Sequence, residues 1–509
     1  MRGARTVPRP LARGADSLIA LALIAAGGAL RFVRLGQQSF WHDEVHSVIM
    51  ARGGDTGTLS ETVFNTHGSL FLLLLRGWMH IFGSGEAAAR ALSALIGVLG
   101  LIAFQRVIRR YVEPGTALVA LALLAFSPFH LGYSQEVRGY GLLFALGLLA
   151  VEACLVDIER RTPGTFVVAL LVTLATCLSN LSGFFLVGLV GVFGWTLGRA
   201  QGYTLRRYAV FVLLIAVLLE PWIVAGAQST GKFSVGTPPP HSDVILAKGE
   251  SPPGLASIPY SFYDFTLGRS LGPSVDDLKL QRLRALRPHL PYLVPIAMLV
   301  TLLLVRGWRR ADGPRRTVLL PWLVIPVIAM ALFSLINLKA ANSRYAFLGF
   351  APFLLFLALG ITSFAHRAAR GLALAAVLAV FAWSDVQYFT NHAYWKPDAR
   401  AAGALLVREA RAGDAVIVYA LDFPLRFYTP DSLAFLLPSG EAFASDSGAA
   451  LWLAANVQPA QRIWILECNA WWMDRPDRFR RVCDRVRVRE ASWPLDKLPV
   501  YRYRAAGTP

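Results

Sequence analysis

The chain has 509 residues, 55% hydrophobic and 16% charged, with a mean hydropathy of +0.49, which excludes an ordinary soluble globular protein. Its formal charge of +18 does not call for nucleic acid, because Arg and Lys of a multi-pass membrane protein gather in cytoplasmic loops and set orientation.

Arg2, Arg5, Arg9 and Arg13 precede a first apolar segment at 17–35 and predict a cytoplasmic N-terminus. No small-x-small cleavage site leads into a soluble domain, and further spans follow, so this segment reads as a retained anchor rather than a signal peptide. Residues 36–86 then form an outer loop. Within it, Gln37 to Ser47 bring together Trp41, His42, the adjacent acids Asp43 and Glu44, and His46. An acidic pair just outside the hydrocarbon suits a site for a polar substrate on a lipid carrier; the plainer reading is a solvated loop. Residues 67–83, interrupted by Arg76 and Gly77, either cross the membrane or lie in its interface plane. Orientation separates the two. If they crossed, Arg106, Arg109 and Arg110, Arg160 and Arg161, Arg206 and Arg207, and the run from Arg306 to Arg316 would all face outward. An interfacial segment puts all four clusters inside, and this is the reading taken.

The expected spans are 17–35, 87–105, 115–131, 139–156, 164–180, 182–198, 208–226, 289–306, 318–336, 345–363 and 369–385, eleven in all. Asn180 and Gly183 supply the tight turn between the fifth and sixth. A second outer loop, 227–288, is rich in Gly, Pro and Ser and reads as a lid or binding loop. Residues 1–390 thus make a transmembrane domain and 391–509 a small extracytoplasmic α/β domain. The latter is expected to hold helices at 398–411, near 447–456 and around 475–481. Its expected strands are 415–420, 462–467 and an alternating edge strand at 484–489.

Five pieces then carry a resemblance. They are Trp41-His42-Asp43-Glu44; His67-Gly68-Ser69-Leu70 leading to Phe82 through Arg90; Ser127 through Tyr140, with Tyr133-Ser134-Gln135-Glu136-Val137-Arg138; Leu267 through Ser274; and Asn342-Ser343-Arg344-Tyr345. In this order they resemble the type C glycosyltransferases. The narrower likeness is to the group of protein O-mannosyltransferases, lipid A aminoarabinose transferases and rhizobial core galacturonosyltransferases. The resemblance implies a polytopic enzyme of the inner, cytoplasmic membrane that takes a sugar from a polyprenyl phosphate to a hydroxyl on a glycan, lipid or protein. Membrane lipid surrounds it and nucleic acid has no part.

That family's catalytic carboxylate lies in the first outer loop, where this chain has Asp43, with Glu44 beside it as helper or structural acid. The chemistry agrees, since a single inverting displacement needs one base for the acceptor hydroxyl and charge stabilisation on the departing phosphate. Glu136 falls where the family carries a second acid that positions acceptor or metal; the alternative is a salt bridge to Arg138 that closes the loop, with Gln135 alongside. His42, His46 and His67 could join the acids around a divalent cation, although their spacing matches no metal motif and structural polar roles are the reading preferred for them. Arg344, Tyr345, Lys339 and Arg269 are candidates for the donor phosphate, because cations at span mouths are costly unless partnered and Arg presents a planar fork to phosphate oxygens. Snorkelling to the headgroups is the competing role. Many relatives place His or Tyr where this chain has Ser179-Asn180-Leu181-Ser182, which leaves sugar and acceptor open. No nucleotide-binding loop, dinucleotide fingerprint or Asp-x-Asp signature is present.

Two other classes use the same polar mouths: a transporter or flippase for a polyprenyl-linked glycan, and a non-catalytic part of an envelope-glycan assembly. Of the four cysteines, Cys154 and Cys177 sit in apolar runs. Cys468 and Cys483 either bridge across a strand–helix–strand path, which would contribute about 3 kcal/mol, or remain facing thiols.

Overall fold

The computed structural model describes residues 14–54, 57–65, 68–229, 254–335, 342–419, 422–438, 440–468 and 477–506. His67, Lys339 and most of the second loop's first half lie outside them. The chain is a polytopic α-helical membrane protein with a small α/β domain, and its residues fall into two compact units. The first comprises residues up to Leu35, Val48–Gly272 and Leu286–Phe389. The second comprises Gly36–Ser47, Pro273–Ala285 and Thr390–Pro509.

In the first unit, nine helices among the described residues are long and apolar enough to cross a membrane, or ten if one bent pair counts as a span. The eleven expected segments all appear as helix, and two of them differ from simple spans. The third is Pro114–Ala125 followed by Pro128–Ser134, bent by 55°. Ser127 causes the restart: its side chain accepts from the His130 N–H, and Pro128 fills the first helical position, where no amide hydrogen is needed. The fifth, Pro163–Ser179, is only 17 residues long. The segment expected at the interface contains helix Ser69–Phe82, whose 14 residues extend about 21 Å, short of the roughly 30 Å hydrocarbon core.

The interior of this unit is aromatic. Phe129 lies about 5 Å by centroid from Phe265, Phe347 and Phe350, and Phe144 closes the cluster. Helix Phe350–Thr362 is buried along almost its whole length and follows directly on the turn Ser343–Gly349. It crosses Leu290–Arg310 at a pair of glycines. A methyl on Gly307 would strike the Phe356 carbonyl, and one on Gly360 the Leu303 carbonyl.

The second unit is built on a five-stranded sheet in the order β2-β1-β3-β5-β4, with β1 at Ala415–Val418, β2 at Phe435–Leu436, β3 at Ile463–Leu466, β4 at Arg487–Trp493 and β5 at Val500–Ala505. β1, β2 and β3 are parallel, and β5 runs antiparallel to both its neighbours, β3 and β4. β1 and β3 bury every side chain, as their unbroken apolar sequences require. Two expectations shift. Helix Arg478–Val486 consumes the start of the alternating run, so the edge strand begins at Arg487. The interior strand β5 was not expected, because Arg502 lies over the Trp464 and Trp493 rings and so puts a charged letter in a packed position.

The loop Gly36–Ser47 is stitched into this second unit. Ser39 Oγ donates to the Pro397 carbonyl at 2.9 Å, and the Phe40 N–H donates to the Tyr428 hydroxyl at 2.7 Å. The Lys396 N–H reaches Gln38 Oε1 at 3.0 Å, and Arg400 donates to the Gly36 and Gln37 carbonyls.

Candidate functional site

Each unit carries one group of candidate residues. In the second unit, His42 starts the helix His42–Arg52, with Asp43 and Glu44 in its first turn, where the helix dipole favours anions. The two acids have different surroundings. Glu44 is fully buried; its Oε2 accepts from Lys396 Nζ at 2.8 Å and from the Trp41 N–H at 3.4 Å. Lys396 also lies over the Trp41 ring, 5.6 Å from its centroid. Asp43 is half-buried, and its carbonyl accepts from Ser47 Oγ. Glu44 thus holds the loop and helix start in place, as a carboxylate reaching back to the start of its own helix does. His42 is exposed and His46 half-buried, and both rings pack against Phe423, at 5.3 and 6.2 Å.

In the first unit, three guanidiniums gather round three phenols. The Tyr133 and Tyr140 rings are 5.2 Å apart, and Tyr345 follows at 6.4 Å from Tyr140. Arg344 lies over both Tyr140 and Tyr345 at 5.4 Å, Arg138 over Tyr140 at 6.0 Å, and Arg269 over Tyr133 at 5.6 Å. Arg269 Nη2 donates to the Tyr133 hydroxyl at 2.7 Å and to Asn342 Oδ1 at 2.9 Å. The same Asn342 oxygen caps the turn by accepting from the Arg344 N–H at 3.1 Å. One amide side chain therefore fixes two arginines that are distant in sequence.

Arg269 is aimed by its own helix end. Helix Ser257–Leu267 stops at Gly268, whose φ of 58° is open to glycine at no steric cost, and its N–H closes on the Asp264 carbonyl at 2.8 Å. Asp264, fully buried one turn earlier, faces Arg269 Nε at 3.6 Å and accepts from Ser343 Oγ. Asp264 was not singled out from the sequence, although a lone acid in the aromatic run SIPYSFYDFTL is a signal. Tyr133, Tyr140 and Asn342 had been seen only as parts of motifs.

Gln135, Glu136 and Arg138 occupy the buried turn between helices Pro128–Ser134 and Tyr140–Arg160. Gln135 Nε2 donates to the Arg31 and Val33 carbonyls, and the Arg138 N–H donates to the Glu136 carbonyl at 2.7 Å. Among the described residues no three of His, Cys, Asp and Glu come together as metal ligands, and His67 lies outside them.

The alternative of a Cys468–Cys483 bridge is not realised. Both thiols are free and buried, because Cys483 sits inside helix Arg478–Val486 instead of heading a strand. Cys468 donates to the Tyr419 carbonyl, and burial pushes both thiols up to about 12.

No protein-family model matches the chain, and no curated protein matches it. Solved structures do resemble it. ArnT from Cupriavidus metallidurans in the apo state superposes with a TM-score of 0.58 at 13% identity, covering 96% of this chain and 98% of that one. The Archaeoglobus fulgidus oligosaccharyltransferase in complex with Zn and sulfate gives a TM-score of 0.51 at 13% identity, over 88% of this chain and 68% of that one. At such identities the likeness speaks for the fold alone, a multi-pass helical membrane body with a small α/β domain.

Proposed function

We propose that the chain is a glycosyltransferase that moves a sugar from a polyprenyl-phosphate carrier to a hydroxyl acceptor at the outer face of the cytoplasmic membrane. The observation that carries the reading is the gathering of Arg138, Arg269 and Arg344 around Tyr133, Tyr140 and Tyr345 in a membrane-spanning unit. Guanidiniums held by amide, phenol and carboxylate partners form a preorganised receiver for phosphate oxygens. The shared architecture of an oligosaccharyltransferase supports the same class of chemistry. Basic residues at one set of helix ends, Arg109, Arg160, Arg309 and Arg310 among them, support the orientation.

In the proposed reaction the acceptor oxygen bonds to the anomeric carbon as the bond from that carbon to the phosphate oxygen breaks. The acceptor proton passes to Asp43, and polyprenyl phosphate leaves with its new charge matched by the arginines. Asp43 takes the base role because Glu44 is engaged by Lys396.

The test separates binding from transfer. Protein in nanodiscs is assayed for release of polyprenyl phosphate from a panel of polyprenyl-phosphate sugars, and separately for affinity towards undecaprenyl phosphate. Asp43→Asn is expected to abolish release and keep affinity, and Arg344→Gln to weaken affinity about tenfold or more through loss of a charge-assisted contact. Full turnover by Asp43→Asn would remove the assigned base. Binding and translocation of the carrier without release from any donor would point to a flippase.

A further inference from the structure

We infer that Arg31 is a positioning residue that holds the 55° break in the third span and thereby sets the place of Tyr133 and of the Gln135–Arg138 turn. The inference rests on the reading of the arginine group as a phosphate receiver, because that group closes on Tyr133.

A break in a membrane-spanning helix frees backbone carbonyls that have no water to bond, and something must satisfy them. Helix Pro114–Ala125 ends with such carbonyls, and Arg31 takes them. Its Nη1 donates to the Ala125 carbonyl at 3.0 Å and its Nη2 to the Leu124 carbonyl at 3.2 Å. Nη1 also reaches the Gly27 carbonyl of its own helix at 2.5 Å. The same guanidinium spans to the other side of the break, where Nη2 lies 2.8 Å from His130 Nδ1. A guanidinium can only donate, so His130 accepts at Nδ1 and carries its ring proton on Nε2. Arg31 is completely buried, a costly location for a cation within a span unless partnered, and its two Nη atoms meet four acceptors there.

The surrounding small residues are shaped to this contact. A methyl on Gly27 would stand 2.8 Å from Ala125 Cβ, and one on Gly97 would collide with Ser134 Oγ and come within 3.1 Å of Arg31 Cδ. Ser134, one turn beyond His130, is the last residue of the second half-helix, and Gln135 after it returns a hydrogen bond to the Arg31 carbonyl at 3.1 Å. Arg31 is thus bonded to both half-helices and to the turn that follows. Tyr133, lying between those bonds, presents its hydroxyl to Arg269 at 2.7 Å. A displacement near 1 Å at such a group is enough to cost a site on the order of a hundredfold.

The experiment perturbs the break from two sides. Arg31→Lys removes the fork, while Gly27→Ala keeps the charge and pushes on Ala125. Gly28→Ala, one residue along and facing Val98 instead of Ala125, is the control. Hydrogen–deuterium exchange is followed in the segment Ser127–Arg138 and in the helix Pro163–Ser179, alongside affinity for undecaprenyl phosphate in nanodiscs. Expected for both perturbing variants is about tenfold faster exchange in Ser127–Arg138, unchanged exchange in Pro163–Ser179, and about tenfold weaker carrier binding, each corresponding to the loss of roughly one hydrogen bond. The control should change none of these. Should Arg31→Lys not fold, Gly27→Ala alone decides. Unchanged exchange at the break, or an equal rise in both segments, would overturn the inference. If the unaltered protein does not bind undecaprenyl phosphate, the phosphate reading fails, and the exchange result still decides whether Arg31 holds the break.

Discussion

Adjacent carboxylates in a sequence invite a shared role, yet Asp43 and Glu44 divide at the first turn of one helix. Glu44 has no exposed surface and receives Lys396 and the Trp41 N–H, whereas Asp43 keeps part of its surface. Glu44→Gln should therefore reveal itself as lost stability, because it leaves the Lys396 ammonium facing a neutral amide. A buried pair broken on one side costs about 3 kcal/mol, and somewhat less here because Lys396 is partly exposed. The double variant with Lys396→Met should regain part of that loss. Thermal melting of the four members of this cycle checks it, and additive losses would show that the pair is not coupled. The importance of this stretch was legible as a cluster of polar letters beside a span. The division of labour was not, because Glu44's partner lies some 350 residues downstream.

At the scale of elements, hydropathy carried the reading well and local chemistry carried it unevenly. The spans are legible because hydrocarbon demands apolar length. The break at Ser127-Pro128 is written in capping residues, but a window average smooths over it. Strand β5 escaped because its arginine covers tryptophan rings, and Asp264 because a lone acid carries no period. The crossing of Leu290–Arg310 with Phe350–Thr362 offers a direct test of close packing. Gly307→Ala and Gly360→Ala each put a methyl into the other helix's backbone and should each lower the melting temperature in detergent, by an amount corresponding to about 1–3 kcal/mol. Both act on one crossing, so the double variant should lose clearly less than the sum. Strict additivity in the melts would place the two contacts in independent sites.

For the molecule as a whole, two carboxyls of the second unit should answer to acid in opposite senses. In the second unit burial alone would raise the Asp414 carboxyl, but donors from Arg462, the Arg411 N–H and the Trp464 indole outweigh it and hold the group below its ordinary 3.8. A depressed acid stabilises the fold fully above its unfolded value and loses that contribution as pH falls through the folded one. Asp414→Asn should therefore destabilise the unit at neutral pH, and the gap from the unaltered chain should close below pH 3.8. Glu467 works in the opposite sense: burial pushes it above 4.5, against Arg480, so its ionisation weakens the unit as pH rises through the raised value. Calorimetry of the full chain across this range reads both slopes. A gap that stays constant with pH would assign Asp414 a purely steric role.

The stitching of Gly36–Ser47 onto residues beyond Thr390 of the same unit has a consequence in time. A ribosome delivers Asp43 early and its supporting residues Pro397, Lys396 and Tyr428 last. Until Tyr428 has been added, the acid-bearing loop lacks these partners, and every chain truncated before Lys396 carries it without any of them. The order of manufacture therefore withholds an organised acid from copies that stop short of these partners, and a nascent chain stalled before Lys396 should be clipped by protease within 36–47 where the finished protein resists.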